Sequence, residues 1–210
     1  MKLYTTSVAP NPRRVTIFLA EKGIEVPTVE INLGDKENLL PDFLARNPLG
    51  RVPVLEFDDG SYLAESIAIC RYFEATNPDP SLFGSGARAQ AAVEMWNRRM
   101  EFEILANVSG CFRHTHPYWD GRIEQVADFG DLCRRTLEER MKWLDGELAG
   151  HPYIAGERFS VADITAITGF DLAKIVKIRI PEELSNLTKW YETVSARPSV
   201  ASTSPKRKKD

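Results

Sequence analysis

The sequence predicts a mixed α/β first half followed by an all-helical second half. Strand patterns and helix patterns alternate up to a stretch rich in turn residues, 77–86. Beyond that stretch no strand pattern recurs, and apolar residues repeat at helical spacing instead. The 210 residues are enough for two small cores. We therefore expect one domain over residues 1–77, a linker over 78–86 and a helical domain over 87–203.

Composition narrows the classes of partner and compartment. The formal net charge is −3, so no strong attraction to nucleic acid or to an anionic membrane is expected. No apolar run reaches 18 residues, and the first residues lack the apolar core of a signal peptide. Cys70, Cys111 and Cys133 are odd in number and widely spaced, which favours free thiols over a disulfide framework or a zinc site. These observations predict a cytoplasmic protein without a metal.

The first three elements of the α/β half form a β-α-β unit. Lys2–Thr5 is a short apolar strand, and residues 28–33 alternate apolar and polar side chains as a second strand does. Between them, Asn11 suits the N-cap of a helix and Pro12 suits its first position. Gly23 supplies the stop signal of that helix. A helix between two such strands predicts a right-handed crossover with parallel strands.

A hairpin and a further helix complete the first half. Residues 36–46 predict a short irregular helix, broken by Pro41. The Asp-Asp-Gly turn at 58–60 joins two short apolar strands, and a helical pattern opens at Glu65 and Ser66. The resulting order, β-α-β-α-β-β-α, is that of a thioredoxin-like domain.

The second half reads as helices throughout. Residues 87–109 predict one long helix, and 129–148 carry the clearest helical spacing of apolar residues in the chain. Ser160 and Asp163 stand three residues apart before an apolar run, as in a capping box. The last residues, 204–210, are basic and predict a solvated, frayed end.

One stretch of the first half carries a specific motif. The motif is Asn47-Pro48-Leu49-Gly50-Arg51-Val52-Pro53-Val54-Leu55, and Glu65-Ser66 follows it at the start of a helix. This order and spacing resemble the cytosolic glutathione S-transferase superfamily, in a bacterial-type, theta- and phi-like overall pattern. Residues 153–163 resemble the buried capping box of that family. The resemblance implies a thioredoxin-like domain followed by a helical domain, a homodimer, and a role in detoxification.

The resemblance also implies a glutathione site built on this motif. In the family, a cis bond before Pro53 turns the backbone of Val52 outward, where it would pair with the cysteinyl part of glutathione as a strand does. A helix N-terminus suits a carboxylate, and Ser66 would add its hydroxyl there. Glu65 would face the ammonium of the γ-glutamyl group. The alternative for Glu65 and Ser66 is simple capping of the helix.

Two further residues fit the carboxylates of glutathione. Arg51 lies beside Val52 and could meet a carboxylate, although a solvated arginine is the alternative. Asn38 falls where related proteins place a polar contact to the glycine end. Both assignments are carried over from the resemblance.

The donor for the glutathione thiol is the central question of the sequence. A free thiol has a pKa of about 8.5, so little of it is thiolate at neutral pH. A transferase therefore stabilises the thiolate with a nearby hydrogen-bond donor. The usual serine position of related classes falls on Ala9, which has no side-chain donor. The loop instead resembles the nu class, which implies that the amide of Asn11 faces the sulfur. Pure capping by Asn11 is the alternative, Ser7 and Thr6 are nearby donors, and Tyr4 fits a strand.

An electrophile site is expected between the two halves. Its apolar and aromatic wall would come from Met100, Phe112, His114, Tyr118 and Trp119. His114 and His116 lack the companion ligands of a metal site, so we expect no metal there.

The leading functional prediction is a glutathione transferase acting on a small electrophile or disulfide. The nu-class resemblance adds disulfide-bond reduction and peroxide reduction as activities. Because Ala9 replaces the usual donor, a non-catalytic glutathione-binding or protein-interaction module of the same fold is the alternative.

Overall fold

A computed structural model describes residues 1–203, so the basic tail predicted over 204–210 lies outside the described residues. The chain divides into two compact units. The first comprises Met1–Ser81 together with the segment from Pro198 onward, and the second comprises Leu82–Arg197. The division falls within the linker predicted from the turn-rich sequence.

The first unit is built on a four-stranded mixed sheet in the order β2-β1-β3-β4. Its strands are β1 (Lys2–Thr5), β2 (Thr28–Glu30), β3 (Val54–Glu56) and β4 (Tyr62–Ala64). β1 pairs with β2 in parallel, whereas β1 with β3 and β3 with β4 are antiparallel. The predicted crossover and hairpin are therefore both confirmed.

Three helices of the first unit follow the predicted order. They are α1 (Pro10–Lys22), α2 (Pro41–Leu44) and α3 (Ser66–Thr76), with a 3-10 turn at Glu37–Leu39. α1 and α3 pack against each other and bury apolar faces. β2 is shorter than predicted because Asn32 leaves the strand: its backbone N–H donates to Glu37 and its side chain accepts from Gly34.

The prediction that Asn11 caps α1 is wrong. The helix begins at Pro10, its N-cap is Ala9, and no side chain caps it. Pro10 fits the first turn as well as Pro12 does, because neither residue has an N–H to satisfy. Asn11 thus stands inside the first turn, and its side chain is available for another contact.

The second unit is all-helical, as predicted. A helix α4 (Ala87–Arg99) continues through a π-helical segment (Met100–Leu105) into α5 (Ala106–Thr115). The remaining helices are α6 (Ala127–Glu147), α7 (Val161–Ala173) and α8 (Ser185–Ser195), with 3-10 turns at Pro117–Trp119, Leu148–Gly150 and Lys174–Val176. Within residues 1–203, no helix is both long enough and apolar enough to cross a membrane.

Helix α7 forms the centre of the second unit. All of its residues except Asp171 are buried, so it is enclosed on every side rather than amphipathic. Gly169 lies against the backbone of Leu105, where a Cβ would sit 3.5 Å from the Leu105 Cα. The π-helical segment, α4 and α5 all pack against this helix.

A short helix α9 (Pro198–Ser202) belongs to the first unit, whereas the sequence predicts that the helical domain extends to residue 203. Arg13 of α1 donates from Nη2 to the Val200 carbonyl at 3.2 Å and from Nε to the Thr203 carbonyl at 3.0 Å. Ser199 donates from its hydroxyl to Glu21. These bonds hold the segment against α1, which the local sequence pattern does not reveal.

The capping box predicted at α7 is confirmed. Asp163 is fully buried and accepts four hydrogen bonds: from the N–H groups of Ile154 and Ser160, the Ser160 hydroxyl, and Trp190 Nε1. Burial raises the pKa of Asp163 to about 6, and these donors oppose part of that rise. The carboxylate therefore joins α7 to the turn before it and to α8.

We predict that Ser160→Ala lowers the free energy of unfolding by about 0.5–2 kcal/mol. The substitution removes the hydroxyl that accepts from the Ala162 N–H and donates to Asp163. Urea denaturation followed by tryptophan fluorescence measures the change. Ser185→Ala is the matched control, because Ser185 is exposed at the start of α8, where no side chain caps the helix. Equal stability of the two variants would contradict the role given to Ser160.

Candidate functional site

The sheet register brings the motif residues of the first unit to one edge. Tyr4 in β1 lies opposite Val54 in β3, and Val54 lies opposite Ala64 in β4. The chain leaves β1 just after Tyr4, enters β3 at Val54 and leaves β4 at Ala64. The loop before α1, the Val52–Pro53 pair and the start of α3 must therefore meet at the same edge of the sheet.

Val52 presents free backbone groups at this edge. The Val52–Pro53 peptide bond is cis. The Val52 side chain is 9% exposed and packs with Tyr4, Ile31, Phe43 and Val54. Within the described part of the chain, the backbone N–H and C=O of Val52 make no hydrogen bond. An extended peptide could therefore pair with them as an added strand.

Two asparagines hold the loop that leads to Val52. Asn47 is 5% exposed, donates from Nδ2 to the Arg51 carbonyl at 2.8 Å, and accepts from the Leu49 N–H at 3.2 Å. Asn38 donates from Nδ2 to the Gly50 carbonyl at 2.6 Å. A contact from Asn38 to a ligand stays a prediction, because the structure shows it positioning the loop. Arg51 is exposed beside Val52.

Gly50 shows why the loop needs a glycine. Its φ is +59°, and a Cβ would lie 2.9 Å from Leu39 Cδ2 and 3.0 Å from the Asn38 carbonyl oxygen. A side chain would clash at this close approach and would strain the backbone. The loop conformation thus depends on Gly50 as well as on the two asparagines.

The start of α3 is a strained turn with free donors. Glu65 has φ +70° and ψ 117°, a conformation that side-chain-bearing residues rarely adopt. Its side chain is exposed and does not cap the helix, so the capping alternative for Glu65 is wrong. Ser66 is 3% exposed and begins the helix. The first N–H groups of α3 have no partner within the helix, which makes this end favourable for an anion.

The loop before α1 places one amide where a ligand could meet it. Asn11 is exposed, and its Oδ1 accepts from Arg14 Nη2 at 2.8 Å. Since the oxygen faces Arg14, the amide N–H₂ points the other way. Ser7 and Thr6, the other predicted donors, both donate from their hydroxyls to Glu30 Oε1, at 3.3 Å and 3.0 Å. Asn11 is therefore the better-placed donor of the three.

Tyr4 belongs to the strand, as predicted. It is 6% exposed, and its hydroxyl donates to Glu56 Oε2 at 2.7 Å. Glu56 lies at the far end of β3 from Val52. Tyr4 therefore takes no part in the chemistry of this edge.

The five residues predicted for an electrophile wall do not form one surface within the second unit. Phe112 contacts Tyr118 at 6.2 Å and Trp119 at 6.0 Å between ring centroids, so these three form an aromatic cluster. His114 packs instead against Phe129, at 5.1 Å. Met100 is fully buried and offers no surface to a ligand, because its side chain points into the helical core.

Both histidines of the pair have structural contacts. Nδ1 of His114 accepts from the Val126 N–H, and Nδ1 of His116 accepts from the Tyr118 N–H, each at 3.1 Å. Among the residues described, no group of three histidine, cysteine, aspartate or glutamate side chains is placed to hold a metal ion.

Sequence reasoning missed the roles of Arg14 and Asn47. Asn47 stands in the motif, and its position before Pro48 was the available signal. Arg14 gave no local signal, because an arginine in a helix is ordinarily solvated, whereas this one is 4% exposed.

The fold and site together define a thioredoxin-like domain with free backbone donors at one sheet edge, followed in the chain by an all-helical unit. Residues 8–76 match the family model for the glutathione S-transferase N-terminal domain, and residues 104–198 match the model for its C-terminal domain. The chain is 42% identical over 204 residues to Glutathione S-transferase 2 of Saccharomyces cerevisiae, covering 95% of this chain and 88% of that protein.

Solved structures give the same result. The crystal structure of Gtt2 from Saccharomyces cerevisiae aligns with a TM-score of 0.92 at 40% identity, covering 97% of this chain and 100% of that one. A class Gtt2 glutathione S-transferase of Vibrio parahaemolyticus aligns with a TM-score of 0.86 at 38% identity, covering 97% of both chains. The chain therefore belongs to the glutathione S-transferase family.

We predict that Asn47→Ala lowers the free energy of unfolding by about 1–3 kcal/mol, because it removes two hydrogen bonds that hold the loop, each worth about 0.5–1.5 kcal/mol. Thermal or urea denaturation measures the loss. Asn77→Ala is the control, since Asn77 is exposed and its amide donates only to the neighbouring Thr76 hydroxyl. If Asn47→Ala were as stable as the control, the loop would not depend on Asn47.

Proposed function

We propose that the protein binds glutathione at this sheet edge and uses its thiol to attack a small electrophile or disulfide. The observation that carries the proposal is the convergence of the Val52 backbone, the α3 N-terminus and Asn11 at one edge. Glutathione has a γ-glutamyl end, a thiol and a glycine carboxylate, and each group needs a different partner. Membership of the glutathione S-transferase family supports the proposal.

The γ-glutamyl end of glutathione would bind at the start of α3. Its carboxylate would accept from the Ser66 hydroxyl and from the free first-turn N–H groups, where the helix dipole favours negative charge. The exposed Glu65 carboxylate suits the γ-glutamyl ammonium. The positive φ of Glu65 supports this assignment, because strained backbone is concentrated at functional sites.

The rest of the peptide would lie along the loop before β3. The cysteinyl backbone would pair with the free N–H and C=O of Val52. Arg51 is exposed next to this position and would meet the glycine carboxylate. Asn38 donates to the Gly50 carbonyl of the same loop, and we propose that it also contacts the glycine end of glutathione.

The thiol would face the amide of Asn11. An amide N–H₂ is a weaker acid than a serine or tyrosine hydroxyl, so conjugation of electrophiles would be slow. We propose reduction of small disulfides as the favoured reaction. The glutathione thiolate attacks one sulfur of the disulfide, a mixed disulfide with glutathione forms, and the other half leaves as a thiolate. Peroxide reduction by the same thiolate is a further proposed activity.

The aromatic cluster of Phe112, Tyr118 and Trp119 offers apolar ring surface within the second unit, and we propose it as a binding surface for an apolar compound. We also propose that the protein acts in the cytoplasm as a homodimer, as the family resemblance implies.

We predict that Ser66→Ala weakens glutathione binding about tenfold or more, because a hydrogen bond to a charged group is worth about 1.5–3 kcal/mol. The backbone donors of α3 remain in this variant, so binding should be weakened rather than lost. Isothermal calorimetry measures the affinity. Ser61→Ala is the control, since its hydroxyl donates only to Asp59 in the hairpin turn. An unchanged affinity of Ser66→Ala for glutathione would contradict the placement of the γ-glutamyl carboxylate at this helix start.

We predict that Asn11→Asp stays folded but loses bound thiolate and turnover. The new carboxylate would accept from Arg14, as Oδ1 does now, so the helix start should keep its shape. The substitution replaces a donor near the sulfur with an anion, which should raise the pKa of the bound thiol by on the order of 1 unit or more. Ultraviolet absorbance of the thiolate against pH, with turnover of a small disulfide, measures the change.

Asn77→Asp is the charge-matched control, because it adds the same charge at the far end of α3. It should leave the pKa of the bound thiol unchanged. Full turnover by Asn11→Asp would assign the thiolate to backbone donors and refute the role proposed for Asn11.

A further inference from the structure

Arg14 is a buried cation at the start of α1, directly beneath the proposed thiol donor. It is 4% exposed, and its Nη2 donates to Asn11 Oδ1 at 2.8 Å. We propose that Arg14 is a positioning residue of the reaction: it fixes the amide of Asn11 with N–H₂ toward the sulfur and adds positive charge beneath the thiolate. This inference rests on the proposed function, and it identifies a residue whose substitution should alter thiol ionisation without touching glutathione.

The orientation follows from the chemistry of the two groups. A guanidinium has donors and no acceptor, so only the oxygen of the Asn11 amide can face it. The N–H₂ group must then point away from Arg14. Asn11 is exposed while Arg14 is buried, so the pair runs from the interior of the unit to its surface. Without Arg14, either end of the amide could face a ligand, and the oxygen would repel a thiolate.

The charge of Arg14 reaches beyond α1. Burial raises the pKa of the Cys70 thiol on α3 to about 12, and the Arg14 guanidinium opposes a part of that rise. A thiolate bound above the α1 N-terminus would be stabilised by the same charge and by the helix dipole.

Charged groups on α1 and on the elements around it also make contacts of their own. Glu30 on β2 accepts from Thr6 and Ser7. Glu74 on α3 forms an ion pair with Lys22 at 2.5 Å. Glu65 at the start of α3 is assigned to the glutathione ammonium. Arg13 donates to the carbonyls of Val200 and Thr203, whereas Arg14 donates to Asn11.

Arg13 is a matched control for Arg14. The two residues are neighbours in α1, and each is 4% exposed. Substituting either one removes a buried guanidinium from the same helix turn, but the hydrogen bond to Asn11 comes from Arg14. A general loss of stability or charge in α1 should therefore be similar for both, while an effect through Asn11 should be seen for Arg14 alone.

The test compares Arg14→Met, Arg14→Lys and Arg13→Met in the full chain loaded with glutathione. Ultraviolet absorbance against pH gives the pKa of the bound thiol, and calorimetry gives the affinity for glutathione. We expect Arg14→Met to reduce the thiolate about tenfold at neutral pH, a pKa rise of on the order of 1 unit. Arg14→Lys, which keeps a charge and a donor, should recover most of the thiolate. Arg13→Met should match the parent chain.

A second set of variants separates this inference from the proposed function. If Asn11→Ala leaves the thiol pKa unchanged, the donor assigned in the proposed function is wrong. If Asn11→Ala raises the pKa and Arg14→Met does not, only the inference about Arg14 is overturned. In the Asn11→Ala background, Arg14→Met should add a smaller rise than in the parent chain, because the orienting part is already lost. Should Arg14→Met fail to fold, Arg14→Gln is the neutral variant judged by the same criteria.

Discussion

The antiparallel pairing of β1, β3 and β4 is the constraint on which the candidate site depends. Tyr4, Val54 and Ala64 lie side by side in the sheet, so the chain segments next to them must share one edge. Those segments are remote in sequence, and none of them forms a site alone. A slip of one residue in β3 would exchange the faces of its side chains, exposing Val54, and would shift Val52 away from the loop before α1. The buried cluster around Val52 and Val54 opposes such a slip.

Backbone groups, rather than charged side chains, supply most of the proposed recognition. Val52 offers peptide groups that make no hydrogen bond within residues 1–203, and α3 offers its first N–H groups. Several side chains at this edge position these groups. Asn47 and Asn38 donate hydrogen bonds to carbonyls of the loop before β3, and Arg14 donates to the side-chain amide of Asn11. This division of roles explains how a site can remain ordered although Ala9 contributes no donor.

The second unit depends on a different interaction. The buried carboxylate of Asp163 accepts four hydrogen bonds and joins the turn at Ile154, the start of α7 and Trp190 of α8. A buried carboxylate without partners would be strongly unfavourable. The four donors therefore stabilise Asp163 together, and through it they link the three elements. The capping box is therefore an element of folding, and the aromatic cluster of Phe112 is separate from it.

The sequence by itself determined the order of elements, the glycine and proline positions of the loop before β3, and the capping box at α7. These features are local: turn residues, helical spacing and caps act over a few neighbours. The sequence did not reveal that α1 begins at Pro10, that Met100 is fully buried, or that α9 packs on α1. Nor did it show that Arg14 is buried against Asn11. Only the tertiary structure decided these points, because each depends on contacts between residues whose relation is set by packing rather than by local pattern.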